Sequence, residues 1–576
     1  MDRNTFQNAT NGPQLSSNQT SLIWQYMRLR PTPWILLSDV GSIPGLDNLN
    51  TTSPAPLNDD NFPILSSSSQ HQSQSNPTTS TTHLTLLRHL QSTPPPRPPI
   101  ELFGAGYQDY LQNPLQPLAD NLESMTYEVF EKDPIKYAWY ERAIAAALRD
   151  WSATKKPGSG PGTHHRIVCA VVGAGRGPLV TRALAASEAT GVQIEMWALE
   201  KNPNAFVLLQ RRNASTWNNR VHLVHSDMRS WSGPSYPSST NSSSQATYKI
   251  DILISELLGS LADNELSPEC LDGVQHLLNP TSGISIPSSY TAHISPIAAP
   301  KIHADIMGRA AAGDAQAWNV PYVTMLHAID FLSARRPVKG GADNAMHAML
   351  MEAPGGGMAN PGLSPVVREA WEFRHPVPAT WLKDDGKGKG VVGNGNEHNE
   401  RFTRLEFACR NRGVCHGLAG YFEAVLYDPE VLLGPADADV GAGADAASFS
   451  ASAPGGAKTG QQGEVVSGKR ERAAPTSQPQ SRTKVEISTN PLTMDAKSRD
   501  MISWFPMFLP LKQPLYFPDE SVLVVSMWRR TEGRGVWYEW VVEAFKVERR
   551  QGGGRSRRVR IATSELVSSK GVMCLM

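Results

Sequence analysis

The sequence predicts an α/β protein in which a parallel sheet covered by helices is followed by an antiparallel β-barrel or sandwich. Three observations carry this prediction. Apolar runs of strand length alternate with helix-length segments between about 122 and 293, short β-rich runs replace them afterwards, and low-complexity sequence lies outside both regions. The 576 residues are enough for several domains with their own hydrophobic cores.

The first region contains a regular alternation of helices and strands. Its order is helix 140–151, strand 166–172, helix 178–189, strand 193–199, helix 203–216, strand 221–225 and strand 250–255. Such alternation is typical of a parallel sheet with helices on both faces. The β-rich runs of the second region lie at 405–409, 420–426, 521–528 and 536–544, and they favour an antiparallel sheet.

Low-complexity sequence flanks and interrupts these regions. Residues 1–99 are rich in Ser, Thr, Asn, Gln and Pro, and we expect most of them to be disordered because they cannot bury enough apolar surface. Only 22–37 look able to pack. Segments at about 339–400 and 434–482 are predicted to be insertions looped out of the second domain. The predicted domains are 125–292 and 293–576, with 100–124 as a linker.

Composition excludes several classes of protein. Lys plus Arg and Asp plus Glu each number 54, so there is no overall charge to attract nucleic acid or an anionic membrane, and we expect no direct binding to either. The five cysteines lie far apart without zinc-ligand spacing, so we expect a reduced protein without bound metal. The sequence contains no run of about 18 apolar residues, so we predict no membrane-spanning helix.

A glycine turn follows the strand 166–172. The sequence IVCAVVGAGRGP at 167–178 contains Gly173, Gly175 and Gly177 just before a helix that begins at Pro178. Glycines here permit positive φ and a close approach of a ligand to the backbone. Pro178 occupies the third-glycine position of a dinucleotide fingerprint, which disfavours a nicotinamide-dependent oxidoreductase. We also find no acid–base dyad for hydride transfer.

Carboxylates end the next two strands. Glu200 ends the run QIEMWALE, where it can accept hydrogen bonds from both hydroxyls of a ribose. Asp227 and Met228 follow the third strand, where they can meet the edge and the face of an adenine. Together with the glycine turn, these positions predict a cofactor that contains a nucleoside.

Two glutamates, Glu256 and Glu265, follow the fourth strand nine residues apart. Ligands of open α/β sheets bind beyond the carboxyl ends of the strands, so both can reach the same crevice. A guanidinium fits two carboxylates well because it presents a planar fork of donors. Holding one edge in this way would return nucleophilic character to the remaining nitrogen and position it for reaction. The alternative is that both glutamates are solvated loop charges.

Several longer motifs point to one family. They are TYEVFEKDPIKY at 126–137, VVGAGRGPLV at 171–180, ALEKNPNA at 198–205, SDMRSW at 226–231, SELLGSLADNELSPECLDG at 255–273, HGLAGYFE at 416–423 and SWFP at 503–506. Together they resemble the type II protein arginine methyltransferases, which use S-adenosylmethionine to make symmetric dimethylarginine. The resemblance runs from about Ile100 to the C-terminus. It implies a Rossmann-like class I methyltransferase domain followed by a β-barrel that forms homo-oligomers.

The resemblance implies roles for individual residues. Glu256 and Glu265 would hold the substrate guanidinium as catalytic residues, and Ser503, Trp504 and Phe130 would complete the substrate site. Trp504 would stack on the arginine, where asymmetric relatives have Thr-His-Trp, and Phe130 matches the position linked to symmetric product. The residues implied to bind S-adenosylmethionine are Tyr127, Lys136, Tyr137, Gly173, Gly175, Gly177, Glu200, Asp227 and Met228.

The resemblance also implies partners and substrates. The expected substrates are Gly/Arg-rich segments of histones and spliceosomal Sm proteins, in the cytoplasm and nucleus. Family members carry an N-terminal (β/α)8 barrel that binds a WD-repeat partner and needs about 200 residues. Only 99 residues precede Ile100 here, although 22–37 could be a barrel remnant and 100–124 resembles the barrel exit. We favour a gene model without its first exons over loss of the barrel.

A second function stays open beside the enzyme. A chain without the barrel could be a scaffold derived from the enzyme, acting in cell-cycle or morphogenesis control without turnover. Such a scaffold does not require the glycine turn or both glutamates, and this sequence has all of them.

Overall fold

A computed structural model describes most of the chain from residue 82 onward and short pieces before it. The described residues are 7–9, 12–28, 35–36, 82–94, 96–161, 166–237, 245–335, 364–377, 396–430, 484–548 and 557–576. Within them, a parallel-sheet domain and an antiparallel domain share one large hydrophobic core. The predicted order of fold types is confirmed.

Five parallel strands form the sheet of the first domain. In order of neighbours they are Val221–His225, Ile194–Glu200, Ile167–Val172, Ile252–Ile254 and Ile284–Ile286. The first strand in sequence, Ile167–Val172, is fully buried because helices cover both faces of the sheet. The chain order reverses between this strand and Ile252–Ile254, and a ligand crevice forms at such a switch point beyond the carboxyl ends of the strands.

Helices pack against this sheet and connect its strands. They are Ser124–Glu131, Pro134–Thr154, Pro178–Thr190, Pro203–Ser215 and Ser267–Val274, with 3-10 turns at Met228–Ser230, Asp263–Glu265 and Gln275–Leu277 and a small hairpin of Ser235–Pro237 and Gln245–Thr247. Proline in the first helical turn is favourable because its fixed φ suits the helix and its missing N–H would be unpaired there. Pro134 has this place, and the preceding Asp133 accepts hydrogen bonds from the backbone N–H groups of Ile135 and Lys136.

The second domain is built from two antiparallel sheets. One contains Ser289–Ala298, Tyr322–Val323, Asp330–Phe331, Arg368–Arg374, Gly413–Tyr427, Val485–Ser488 and Met507–Phe517, and the other contains Arg401–Cys409, Ser521–Glu532, Gly535–Glu548, Arg557–Thr563, Val567–Ser568 and Cys574–Leu575. A further pair of short strands is Ala334–Arg335 with Ser364–Pro365, and the helices are Pro300–Ala311 and Met494–Ser498, with 3-10 turns at Glu397–Asn399 and Lys570–Val572.

Two boundaries differ from the sequence prediction. The segment 339–400 is not one looped-out insertion, because Arg368–Arg374 pairs with Ser289–Ala298 and buries Trp371 and Phe373 in the core. The Gly-rich stretches on either side conceal this strand. The antiparallel sheet also begins at Ser289, slightly before the predicted boundary at 292. The segment 434–482 lies outside the described residues.

Part of the N-terminal segment forms a small helical unit. A short hairpin, Gln7–Ala9 with Gly12–Gln14, precedes helix Ser17–Arg28, which packs on helix Thr82–Ser92 through Ile23, Leu87 and Leu90. Helix Pro99–Phe103 then leads into the linker. Residues 22–28 of the possible barrel remnant belong to the first of these helices, and most of the remainder of 1–99 lies outside the described residues.

Membrane-spanning helices and metal-binding clusters are both absent from the described part of the chain. No helix there is long and apolar enough to cross a membrane. In the same ranges there is no group of three or more His, Cys, Asp or Glu side chains able to hold a metal ion.

Candidate active site

The predicted site residues meet at one cavity of about 540 Å³ beyond the carboxyl ends of the parallel strands. This volume is in the range of small-molecule sites. The parallel-sheet domain contributes most of the lining, and residues 502–505 of the antiparallel domain close one side. All the predicted site residues line the cavity except Gly177.

The glycine turn has the predicted backbone geometry. Gly173, Gly175 and Gly177 have φ of 74°, 54° and 91°. A Cβ on Gly175 would lie 3.0 Å from the ring of Tyr127, and the positive φ would strain any other residue, so both features favour glycine. Gly177 does not line the cavity, and a Cβ there would lie 2.5 Å from the ring of Trp217, so packing also requires glycine at this position. Its contact with the cofactor stays a prediction.

Glu200 is a buried carboxylate at the end of its strand. Its two oxygens accept hydrogen bonds from the backbone N–H groups of Gly175 at 2.6 Å and Asn202 at 2.7 Å. Burial raises the pKa of Glu200, although these N–H groups oppose the shift. Each oxygen keeps a second lone pair for a ligand. Burial and the charge of Glu200 raise the pKa of the adjacent Tyr127 to about 12.

Asp227 and Met228 lie at the same end of the cavity. Asp227 accepts hydrogen bonds from Arg229 Nε at 3.0 Å and from Arg229 Nη2 at 2.8 Å. Despite partial burial, this pairing with Arg229 lowers the pKa of Asp227 and keeps it ionised. Arg229 thus already balances the charge of the Asp227 carboxylate that an adenine would meet. The contact of Asp227 with adenine stays a prediction.

The opposite end of the cavity holds a cation that belongs to the chain itself. The Nζ atom of Lys136 lies 3.3 Å from Glu256 Oε2, and it is 5.3, 4.9 and 4.8 Å from the ring centres of Phe130, Tyr137 and Trp504. We call these three rings and Glu256 the cation site. Lys136 is buried to 1 % exposure. The sequence predicts that Lys136 binds the cofactor, whereas in the structure it pairs with Glu256, which is predicted to bind the substrate.

Glu265 faces this cavity in a different electrostatic state. Within the described residues, its carboxylate has no hydrogen-bond partner, whereas Glu256 also accepts from the backbone N–H of Leu258. Burial raises the pKa of Glu265 well above its usual range, the charge of Glu256 raises it further, and Lys136 opposes both. The site thus contains a half-buried carboxylate that a cationic ligand would stabilise in its ionised form.

The loop that carries Glu265 is strained. Ala262 has φ 67° and ψ −62°, and the N–H of Asp263 donates to the carbonyl of Leu261 at 3.0 Å. This is the rare form of the γ-turn, which is unfavourable for an L-residue. Leu266, on the other side of Glu265, also has a positive φ of 67°. Such strain persists only where the surrounding structure imposes it, and it concentrates at functional sites.

Asp133 is a residue that sequence analysis missed. It is 1 % exposed and accepts four backbone N–H groups, from Ile135 and Lys136 on its own helix and from Ile502 and Ser503 in the other domain, at 2.7 to 3.1 Å. One carboxylate therefore joins the helix of Lys136 to the loop of Trp504. The Asp-Pro pair is a recognisable helix start, but nothing in the sequence points to its second pair of partners.

A second missed group lies behind Glu265. Arg529, which is fully buried, donates to Asp263 at 2.6 Å and with both terminal nitrogens to Glu269 at 2.9 Å. Tyr538 and Trp371 also donate to Asp263, at 2.7 and 3.0 Å. We call these five residues the Asp263 network. Arg529 lies in a strand whose sequence reads as an ordinary buried strand, so no local signal predicts the contact.

Comparisons with known proteins agree with this geometry. The fold and the sequence place the chain among the arginine methyltransferases by similarity, since the description "PRMT5 arginine-N-methyltransferase" matches residues 99–286. The description "PRMT5 oligomerisation domain" matches residues 289–439 and 480–576. The chain belongs to the PRMT5 family of arginine N-methyltransferases, which confirms the resemblance seen in the sequence.

Curated relatives match over most of this chain. Protein arginine N-methyltransferase skb1 of Schizosaccharomyces pombe is 37% identical over 492 residues, covering 85% of this chain and 59% of the relative. Protein arginine N-methyltransferase 5 is 35% identical in Oryza sativa subsp. indica, covering 80% of this chain and 52% of the relative. In Xenopus laevis the identity is 34%, with 80% and 53% covered. The chain thus spans between half and three fifths of the length of these relatives.

Proposed function

We propose that this chain is an S-adenosylmethionine-dependent protein arginine methyltransferase of type II, forming symmetric dimethylarginine. The observation that carries the proposal is the cation site beside Glu265. Three aromatic faces and Glu256 already bind an ammonium group, and cations are attracted to such faces. A guanidinium is a flatter cation with more donors, so it can engage Glu256 and the unpaired Glu265 together.

The other end of the cavity fits S-adenosylmethionine. Glu200 has lone pairs for the two ribose hydroxyls, the glycine turn leaves room at Gly173 and Gly175, and Met228 offers a polarisable apolar surface to the adenine. Tyr127 covers Gly175 and would exclude water from the cofactor. When bound, the cofactor supplies a methyl group on a positively charged sulfur.

The residues of this chain would activate the arginine by position and charge. Glu256 and Glu265 accept hydrogen bonds from one edge of the guanidinium and concentrate its positive charge there. Trp504 holds the guanidinium plane, since its indole N–H donates to the carbonyl of Leu258 at 2.7 Å and fixes the ring. The remaining nitrogen then has more nucleophilic character and points toward the methyl carbon, so orientation supplies much of the rate.

The proton released by the reaction goes to Glu265. Bound S-adenosylmethionine would supply the methyl group and keep the electron pair of the broken carbon–sulfur bond on sulfur, and the methylated guanidinium would lose one N–H proton. Burial and Glu256 raise the pKa of Glu265, so this carboxylate accepts a proton more readily than an exposed glutamate. Glu256 remains as the charged partner of the guanidinium.

Two residues support the symmetric product. Phe130 and Trp504 both border the cation site, and flat rings on two sides restrict which nitrogen can face the methyl group. We propose that Phe130→Leu opens this space and adds asymmetric dimethylarginine to the product. The substrates proposed are Gly/Arg-rich segments of histones and Sm proteins in the cytoplasm and nucleus, acted on by a homo-oligomer. A WD-repeat partner that docks on an N-terminal barrel stays a prediction.

The test is methyl transfer by the full chain. Purified protein is incubated with labelled S-adenosylmethionine and a Gly-Arg repeat peptide, and the methylated arginines are separated by mass spectrometry. Calorimetry measures cofactor binding in parallel. We expect symmetric dimethylarginine from the wild type and almost none from Glu256→Gln, with cofactor affinity retained in both.

The matched control is Glu195→Gln. The two side chains are similarly buried, at 15% exposure for Glu256 and 17% for Glu195, but Glu195 pairs with His222 outside the cavity. It should keep full turnover. Cofactor binding by the wild type without methyl transfer would contradict the enzyme and favour the scaffold alternative. Asymmetric product alone would contradict the type II assignment.

A further inference from the structure

We propose that Arg529 of the antiparallel domain is a positioning residue for Glu265. It binds Asp263 and Glu269 and thereby holds the strained loop that directs Glu265 into the cavity. The inference rests on the proposed function, since it concerns how a catalytic carboxylate is oriented.

The loop does not hold its own conformation. Ala262 and Leu266 have positive φ on either side of the 3-10 turn Asp263–Glu265, and neither is glycine. Within the loop, the side chain of Asn264 accepts from the N–H of Leu261 at 2.8 Å, which closes the turn locally. It does not oppose the strain at Leu266. A conformation of this kind needs support from outside.

That support comes from the other domain. The oxygen atoms of Asp263 are both used, Oδ1 by Trp371 and Oδ2 by Arg529 and Tyr538. All three donors belong to strands of the antiparallel sheets. Asp263 is fully buried, so water cannot replace these donors. The position of Asp263 is therefore set by residues that are remote in sequence.

Arg529 binds the chain on both sides of Glu265. Its Nε donates to Asp263, two residues before Glu265, and its terminal nitrogens donate to Glu269, four residues after it. It also donates to the carbonyl of Asn399 at 3.0 Å, so its planar fork is fully used. One rigid guanidinium thus fixes the distance between the two flanks of the catalytic residue.

Glu265 depends on this arrangement because its own side chain has no hydrogen-bond partner among the described residues. The direction of the carboxylate is therefore set mainly by its backbone and packing, beside the charges of Lys136 and Glu256. A shift of the loop by about 1 Å can lower a rate by as much as 10²-fold. The expected signature of Arg529 is therefore a loss of kcat for methyl transfer at nearly constant cofactor affinity.

The experiment uses a mild variant and a matched control. Tyr538→Phe removes one hydrogen bond to Asp263 and leaves no charge unpaired. Tyr427→Phe is the control outside the Asp263 network, since Tyr427 is 1% exposed and its hydroxyl donates at 2.9 Å to the half-buried Asp150 of the parallel-sheet domain. Each is measured in the full chain for thermal unfolding, cofactor affinity by calorimetry, and kcat and KM with a Gly-Arg repeat peptide.

We expect only Tyr538→Phe to lower kcat, by about tenfold, beyond any loss that follows the fraction of unfolded protein. Arg529→Lys keeps the charge but loses the planar fork, and we expect it to lower kcat on the order of 10²-fold. Cofactor affinity should change by less than about threefold in all of them, because Glu200 and the glycine turn are untouched.

Equal kcat losses in Tyr538→Phe and Tyr427→Phe would overturn the positioning role, as would a loss in Arg529→Lys that only follows the fraction of unfolded protein. These results differ from a failure of the proposed function. In that case the wild type itself would bind the cofactor and transfer no methyl group, and the positioning role would fall with it.

Discussion

Asp263 and Glu265 are two residues apart on one loop, yet the protein surrounds them in opposite ways. Asp263 is buried with donors from Arg529, Tyr538 and Trp371 on its oxygens. Glu265 lies against the cavity without a hydrogen-bond partner among the described residues, and burial raises its pKa. The difference teaches that Glu265 can stay without a hydrogen-bond partner, ready for a ligand, because the fully paired Asp263 holds the loop in place.

The same contrast separates the two ends of the cavity. Glu200, at the cofactor end, is bound by backbone N–H groups of its own domain. At the end that we propose for the substrate guanidinium, Trp504 and the support of Glu265 come from the antiparallel domain. The cofactor end is thus local, and the substrate end exists only where the two domains meet.

The largest expected effect comes from removing Arg529, the cation that pairs with Asp263. Arg529→Met leaves Asp263 and Glu269 buried without their cation, and we expect the free energy of unfolding to fall by about 3–5 kcal/mol. Denaturant unfolding measures it. The control is Arg404→Met, whose ion pair with Glu543 is half exposed at the arginine and should contribute less than about 1 kcal/mol. Equal losses in the two variants would contradict the contrast.

Asp133→Asn tests whether a paired carboxylate also supports Trp504. The Asn amide has one acceptor oxygen and one NH2 donor, so two of the four backbone N–H groups lose their acceptor and the other two keep only a neutral one. We expect a loss of about 2 kcal/mol in stability and a larger fall in methyl transfer than in cofactor affinity. A variant with unchanged turnover and unchanged unfolding would show that the link between the two domains is dispensable.

Glu265→Gln should sharpen the comparison by acting in the opposite direction to Asp263→Asn. Burial raises the folded pKa of Glu265, so its contribution to stability is complete below the unfolded pKa and is lost as pH rises through the folded value. Glutamine does not titrate. We therefore expect Glu265→Gln to be more stable than wild type at neutral pH, with the gain disappearing in acid.

Asp263→Asn should lower stability over the same pH range, since it removes the charged partner of Arg529. Thermal unfolding of both variants between pH 4 and pH 8 gives the comparison directly. If the two substitutions shifted the melting temperature in the same direction at neutral pH, the opposite treatment of the two carboxylates would be wrong.

Lys136→Met gives the smallest predicted effect. Lys136 opposes the raised pKa of Glu265, so its removal should raise that pKa further. If ionised Glu265 is required, the acid limb of the pH dependence of kcat/KM moves to higher pH. The control is Lys132→Met. Lys132 is exposed and does not line the cavity, so its removal should leave the acid limb in place. If the acid limb does not move in Lys136→Met, the charge of Lys136 does not influence the pKa of Glu265.

The cofactor end could be predicted from the sequence because its signals are local. Gly173, Gly175 and Glu200 lie at strand ends, where chain order alone places them together. The support of the substrate end could not be predicted. Asp263 meets Arg529 across 266 residues, and Asp133 meets Ser503 across 370, so neither partner has a nearby motif.

Some details were hidden by composition or by flexibility of a side chain. The strand Arg368–Arg374 contains the buried Trp371 and Phe373, but Gly-rich sequence on both sides makes its surroundings look unstructured. Lys136 has a long side chain, and its family motif gives its position but not the direction of its ammonium group. Only the packed structure pairs it with Glu256.

The most direct test of the account is the proton balance of substrate binding. Calorimetry of a Gly-Arg repeat peptide binding to the full chain with S-adenosylhomocysteine is repeated in buffers of different ionisation enthalpy. A cation that binds an unpaired Glu265 with a raised pKa releases a proton, so the enthalpy should depend on the buffer in wild type and lose that dependence in Glu265→Gln. The same buffer dependence in both proteins would contradict the account.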